Sequence, residues 1–183
     1  MLIYSMGVSA DGFIADRDGI FAWNPPSDDE FRFQFEQIGM LGGYLLGRRL
    51  YELMLVWETD PTMRDLFLGA EFADMWTALP KVVFSRTDVP VFGNARLSSA
   101  SLTDEITTAL AGTDRDVSIG GADLAAQAID LDLVDEFRMM RHPIIVGGGT
   151  RFIPPVTNSL QLELIDTRAF ESHVVYERYR RIR

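Results

Sequence analysis

Apolar residues along this chain repeat with two different periods, and the switches between them mark out its elements. Leu2 to Ser9 is mostly apolar, the pattern of a strand buried on both faces. Asp11-Gly12 signals a turn, and the chain from there to Pro26 is expected to be a long loop carrying Trp23 and the Asn24-Pro25-Pro26 breaker. Ser27 stands in N-cap position with Glu30 three residues on, the spacing of a capping box. Phe31, Phe35 and Ile38 then predict a helix to about Gly39. Gly43-Tyr-Leu-Leu-Gly47 predicts a second strand, and Arg48 to Glu52 opens another helix. Trp57 to Thr62 reads as irregular. Leu66, Phe67, Ala70, Ala73, Trp76 and Leu79 form a helical stripe over Met63 to Leu79, stopped by Pro80.

The same alternation of elements continues. Lys81 to Ser85 predicts a third strand, Ala95 to Ser98 a short one, and Thr103 to Leu110 a helix capped by Ser101. Val117 to Ile119 is a β-branched run that stops at Gly120-Gly121, and Ala122 to Leu131 is helical. Val134 to Met140 is a strand, after which Pro143 to Val146 leads into Gly147-Gly148-Gly149-Thr150. The end differs in character: Leu160 to Ile165 and His173 to Tyr179 alternate apolar and polar residues, as a half-exposed antiparallel hairpin does. Strands alternating with helices and closed by a hairpin predict an α/β domain. Its mixed sheet is mostly parallel, with helices on both faces. No repeat or linker interrupts it, so residues 1–183 are expected to form one domain.

Composition narrows the chemistry. A net charge of -10 argues against nucleic acid or an anionic membrane as partner. The chain has no cysteine, which removes thiolate catalysis and cysteine-ligated metals. No apolar run spans a bilayer, and the N-terminus lacks the basic and apolar regions of a secretory leader; a cytoplasmic protein is expected. The sequence has no Walker loop, no Rossmann fingerprint and no nucleophile elbow. Its two histidines, His142 and His173, open or close strands and are read as structural. No tight carboxylate motif supports a metal.

What remains is a set of glycines and arginines at strand C-termini: Gly47-Arg48-Arg49, Ser85-Arg86, Gly120-Gly121 and Gly147 to Gly149. In an open α/β sheet, ligands lie beyond the carboxyl ends of the strands. Adjacent glycines at a strand-to-helix junction expose backbone N–H groups to an anion, or they simply pack strand against helix. The arginines beside them point to a ligand carrying more than one phosphate.

The segments Ser9-Ala-Asp-Gly-Phe-Ile14, Leu46-Gly-Arg-Arg-Leu-Tyr-Glu52, Val83-Phe-Ser-Arg86, Ile119-Gly-Gly-Ala-Asp-Leu124 and Val146-Gly-Gly-Gly-Thr-Arg-Phe152 together resemble the dihydrofolate reductase-like superfamily. Within it the chain is most similar to the reductase domain of the bifunctional riboflavin-biosynthesis deaminase/reductase and its stand-alone relatives. The resemblance implies a three-layer dihydrofolate reductase-like fold, a homodimer, and NADPH as cofactor. It places Gly47, Arg48 and Arg49 at the adenosine-side phosphates and Ser85 and Arg86 at the 2′-phosphate. Ile119, Gly120, Gly121, Ala122, Asp123 and Leu124 fall at the pyrophosphate, with a cis peptide between the two glycines and Asp123 turned away. Val8 and Thr150 fall beside the nicotinamide end. On the substrate side it implies Ser9, Asp11, Trp23 and Asp28, with Asp11 or Asp28 assisting protonation. Asp11 also reads as a plain Asp-Gly turn, and Asp28 as a first-turn residue favourable to the helix dipole.

The expected activity is NADPH-dependent reduction of a small heteroaromatic, pterin- or pyrimidine-like, or carbonyl compound. The pyrimidine reductase of riboflavin synthesis is the alternative in the same class. A non-catalytic NADP-binding module and a cofactor-free apolar pocket protein are the alternatives outside it. Phe13, Phe21 and Trp23 suggest a lid over an aromatic substrate.

Overall fold

Alternation along the first strand divides the interior in two. In β1 (Leu2–Ser9), Leu2, Tyr4 and Val8 enter one buried cluster and Ile3 enters another. A strand with apolar side chains on both faces must be covered on both. The computed structural model, which describes residues 1–23, 25–156 and 158–183, shows how. The first cluster is closed by α5 (Leu102–Ala111) and α6 (Ala122–Asp130), through Ile106, Leu124, Ala125, Ala128 and Ile129. The second is closed by α1 (Asp28–Gly39), α2 (Arg48–Met54) and α4 (Gly69–Ala78), through Phe31, Phe35, Tyr51, Phe72 and Trp76.

Between these layers lie β3 (Leu41–Gly47), β4 (Lys81–Phe84), β5 (Ala95–Leu97), β6 (Asp116–Gly120), β7 (Glu136–His142), β9 (Leu162–Ala169) and β10 (Val175–Arg181) together with β1, in the order β5-β4-β3-β6-β1-β7-β10-β9. The first six are parallel to their neighbours; β10 runs antiparallel to both β7 and β9. The mixed sheet and its hairpin follow the hydrophobic pattern. Among the described residues no helix is long and apolar enough to cross a membrane.

Three local expectations are corrected. Residues expected to be loop include β2 (Phe13–Ala15), which pairs with β8 (Thr150–Arg151) in a small second sheet; strands this short leave no periodicity to detect. Asn24 of the expected breaker lies outside the described residues. The stretch read as irregular holds the single helical turn α3 (Val56–Thr59) and a 3-10 turn over Pro61–Asp65, nucleated where Asp60 accepts from Thr62 N and Pro61 needs no N–H partner. The helix expected from Met63 starts only at Gly69, because Leu68 sits at φ 54. A Cβ on Gly69 would collide with the Met63 carbonyl oxygen, so the chain doubles back tightly there.

Behind β7 a charged knot replaces apolar packing. Glu136 is fully buried and accepts from Arg178 Nε (2.7 Å) and Nη2 (2.8 Å) and from Arg138 Nη2 (3.0 Å). Arg138 also donates to Gln37 Oε1 of α1 at 3.0 Å. Burial alone would raise the Glu136 carboxyl, but the Arg178 and Arg138 hydrogen bonds outweigh it and hold it below the ordinary glutamate value. A depressed folded value contributes stability above the unfolded value and loses it as pH falls through the folded one. Glu136→Gln should therefore cost about 3 kcal/mol in denaturant unfolding at pH 7, because it leaves the buried Arg138 and the half-buried Arg178 guanidinium groups without their counter-charge. The gap to the wild type should close as pH is lowered below the ordinary glutamate range. A gap that is small at pH 7, or that widens in acid, contradicts this reading.

Candidate functional site

The parallel strands bring their carboxyl ends to one rim. β3 ends at Gly47 and β6 at Gly120, and the two strands are hydrogen-bonded neighbours, with Leu46 opposite Gly120. Each runs straight into a helix: α2 starts at Arg48 with Gly47 as N-cap, and α6 starts at Ala122 with Gly121 as N-cap. Neither helix has a side-chain cap, so its first N–H groups face outward without a built-in acceptor. The two starts touch: a Cβ on Gly121 would lie 3.4 Å from Gly47 Cα and 3.5 Å from Gly47 N.

The two glycines of the pair serve different ends. A Cβ on Gly120 would collide with Leu50 Cδ2 and come within 3.0 Å of Tyr44, so Gly120 is needed for packing. Gly121 sits at φ +94, where other residues are strained. The cis peptide implied by resemblance is not found: among the described residues every peptide bond is trans. The chain makes its corner through the φ of Gly121 instead.

The cation side is partly committed. Arg48 donates to Glu52 Oε1 (2.8 Å) and Thr87 Oγ1 (3.1 Å), which ties α2 to the loop after β4. In that loop the Ser85 hydroxyl donates to Thr87 O at 2.6 Å. Arg49 and Arg86 are exposed on the same rim, and among the described residues neither has a carboxylate within ion-pair distance. Asp123 is exposed at the first turn of α6, while Val8, Ile119 and Leu124 are buried, so that Val8 and Ile119 can offer a ligand only backbone. Thr150 is exposed in β8, opposite Ala15.

Asp11 holds the glycine-rich loop. Its carboxylate accepts from Ser9 Oγ (2.7 Å), Gly147 N (2.8 Å) and Val146 N (3.2 Å). Desolvation would raise its pKa, but these hydrogen bonds prevail and hold it below the usual aspartate value. With its oxygens filled by three donors it is a poor proton source. Ser9 is fully buried and its hydroxyl also accepts from Phe13 N at 3.0 Å, so it is equally committed. Arg17 Nη2 donates to Gly147 O at 2.5 Å from the other side. Gly149, at φ +129, lies against the Ala15 carbonyl oxygen where a Cβ would collide. Phe152, stacked on Tyr4 at 4.4 Å, anchors the far end.

Asp28 is exposed at the first position of α1, which fits its helix-dipole reading. The expected capping box does not form. Ser27 donates instead to Asp29 Oδ1 at 2.6 Å, and Glu30 turns inward. There Glu30, 1 % exposed, accepts from Ser172 Oγ (2.9 Å) and Gln34 Nε2 (3.2 Å). His142, beside Ser9 in the β1–β7 register, meets Trp23 edge-on with ring centroids 5.6 Å apart. Burial pushes the His142 imidazole below its ordinary value and Glu30 opposes that. Sequence reasoning missed both residues. Glu30 was masked by its capping-box spacing, and nothing along the chain says that β7 pairs with β1. The site therefore joins Gly47, Arg48, Arg49, Gly121 and Ala122 on one stretch of the rim and Ser9, Asp11, Trp23 and the glycine loop on another.

A cavity of 280 Å³ lies at the opposite, amino-terminal rim, between Gly43, Pro80, Asn94 and Thr108. Its two cations are already paired, Lys81 with Glu58 at 3.2 Å and Arg96 with Glu105 at 2.5 Å. It offers an anion no free charge.

Comparison with known proteins agrees with this geometry. The uncharacterized protein YyaP of Bacillus subtilis (strain 168) is 29% identical over 176 residues, 95% of this chain and 91% of its own length. A candidate riboflavin biosynthesis protein of Shewanella sp. PV-4 superposes with a TM-score of 0.76 at 24% identity, covering 100% of this chain and 99% of that one. Dihydrofolate reductase of Enterococcus faecalis, solved with NADP(H), superposes with a TM-score of 0.66 at 20% identity over 99% and 96% of the two chains. The deaminase/5-amino-6-(5-phosphoribosylamino)uracil reductase of Thermotoga maritima gives 0.65 at 15% identity, and this chain spans 56% of it. These structures share the fold, and the RibD C-terminal domain family matches residues 1–176. On that extent of match and this sheet order, the chain belongs to the RibD C-terminal domain family and has a dihydrofolate reductase-like fold.

Proposed function

We propose that this protein is an NADPH-dependent reductase of a small heteroaromatic or carbonyl compound. The observation that carries the reading is the contact between the uncapped starts of α2 and α6 at Gly47 and Gly121, flanked by Arg48, Arg49 and Arg86. Two helix N-termini, each worth about half a positive charge, converge where side chains are absent. That cradle suits a pyrophosphate. Arg86, with the Ser85 turn behind it, would hold the adenosine 2′-phosphate, a bidentate task for guanidinium. Arg48, fixed by Glu52 and Thr87, keeps the two anion-binding segments in register. When bound, the reduced nicotinamide supplies hydride.

The chain's own residues position and exclude water. Asp11, as an anion, clamps Val146 and Gly147 and so sets the loop that carries Thr150 toward the nicotinamide end. Trp23 covers the substrate end beside Ser9. The dihydrofolate reductase of Enterococcus faecalis has the same fold and was solved with NADP(H), which supports that dinucleotide as the ligand. We also propose a homodimer formed through β9, which is an edge strand exposed along nearly its whole length, with Leu164 53 % exposed. A long edge of that kind is covered in a stable protein.

Three outcomes follow. Arg86→Ala should weaken NADPH about 10- to 100-fold by calorimetry and NADH about twofold or less, as loss of a charged hydrogen bond to the extra phosphate requires; equal losses for both dinucleotides would remove Arg86 from that role. Asp11→Ala should speed hydrogen exchange at the Val146 and Gly147 amides about tenfold or more without touching β6, whereas unchanged exchange there would show the clamp to be idle. Leu164→Arg should shift the light-scattering mass from two chains to one, and a wild type that is already monomeric contradicts the dimer.

A further inference from the structure

The corner beneath Trp23 contains polar atoms that the protein does not satisfy. Trp23 Nε1 and His142 Nδ1 are both buried and, among the described residues, have no hydrogen-bond partner. Tyr4 OH and Trp76 Nε1 share that state, but they lie within the two apolar cores. Trp23 and His142 instead meet at the carboxyl end of β7, beside Ser9 and over Gly7, whose Cβ position is 3.3 Å from His142 Nε2. A side chain at Gly7 would press on the imidazole, so the strand keeps room for it there. Natural proteins seldom leave two adjacent buried polar groups unpaired unless something else completes them.

Each element around His142 has a distinct part. α1 presents Glu30, the charged group that acts on the imidazole. β1 presents Gly7 and Ser9, the loop presents Trp23, and the β9–β10 turn reaches this corner through Ser172, bonded to Glu30. Glu30 is held by two donors from different parts of the chain. It is a fixed counter-charge and not a mobile surface group.

We propose that Trp23 Nε1–H and His142 Nδ1 grip the electronegative atom of the substrate's C=N or C=O bond, and that His142, with Glu30 as its positioning partner, delivers the proton that atom needs. The inference rests on the reductase reading. In balance, the substrate carbon gains hydride, with its electron pair, from the dinucleotide, which is left oxidised. The π pair moves to the heteroatom, which takes the proton from His142 in its imidazolium form, the form that burial disfavours and the Glu30 charge supports. The ring is left neutral and regains a proton from solvent. The substrate class is thereby narrowed to small planar compounds whose reducible bond ends in an exposed acceptor nitrogen or oxygen.

The test needs no turnover. The chain has two histidines, and His142→Gln assigns which imidazole signal belongs to His142 in a nitrogen NMR titration. Glu30→Gln keeps the hydrogen-bonding shape but removes the charge; it should move the His142 titration about one pH unit lower. A panel of pterin, 2-aminopyrimidine and benzaldehyde, added to the protein, should shift the Trp23 indole and His142 signals. Trp23→Phe, which keeps the edge contact, should weaken the binding probe about tenfold, and His142→Gln likewise, with NADPH affinity by calorimetry unchanged in both. An unmoved His142 titration in Glu30→Gln, or a panel that disturbs neither signal, would overturn the proposal. Wild-type protein that takes up no NADPH would overturn the reductase reading and the proton delivery with it, while probe-induced shifts would still mark the corner as a binding site.

Discussion

The close approach of Gly47 to Gly121 is the constraint on which the rest depends. It exists because β3 and β6 are parallel neighbours that end level with each other, one residue pair after Leu46 faces Gly120. Both chains must leave the sheet there, and both leave it as helices. A Cβ at Gly121 would already touch Gly47, 3.4 Å from its Cα, so the two helix starts lie directly against each other. With no side chain, the positive ends of α2 and α6 share one spot. The positive φ of Gly121 supplies the corner, so no unusual peptide geometry is called for.

Charge is distributed to match. The chain carries ten more negative than positive charges, and several of its arginines are spent on carboxylates away from the rim: Arg96 on Glu105, Arg138 and Arg178 on Glu136, Arg141 on Glu177, Arg181 and Arg183 on Asp132. Arg49 and Arg86 stay clear of such pairs beside the glycine corner. In an acidic protein, an anion is drawn to the few places where positive potential is not cancelled locally. At the substrate end Asp11 is engaged by backbone and Glu30 lies behind His142, while Arg17 donates to Gly147 O and Arg151 lies over Phe13.

The strands and most helices were legible because burial on two faces, or on one, writes itself into the period of apolar residues. The β1 run, the α5 cap at Ser101 and the final hairpin all follow from that rule. The elements it missed are those set by single residues or by distant partners. Leu68 at φ 54 breaks a stripe that is helical by composition, and β2 exists only because β8 lies beside it. The site divides along the same line. The glycine corner was visible as a local junction. Asp11 was visible as a residue, but its task was not, since its acceptors' partners lie some 135 residues away along the chain. Glu30 and His142 could not be joined on paper, because the register of β7 on β1 brings them to one corner.

The most direct measurement is a map of backbone amide shifts on addition of NADPH to the protein. The account predicts the largest changes at Arg48 to Leu50, Ser85 to Arg86 and Gly121 to Asp123, on the single rim where the strands end. Changes centred on Gly43, Pro80 and Thr108 at the opposite rim, or no change at all, would contradict it.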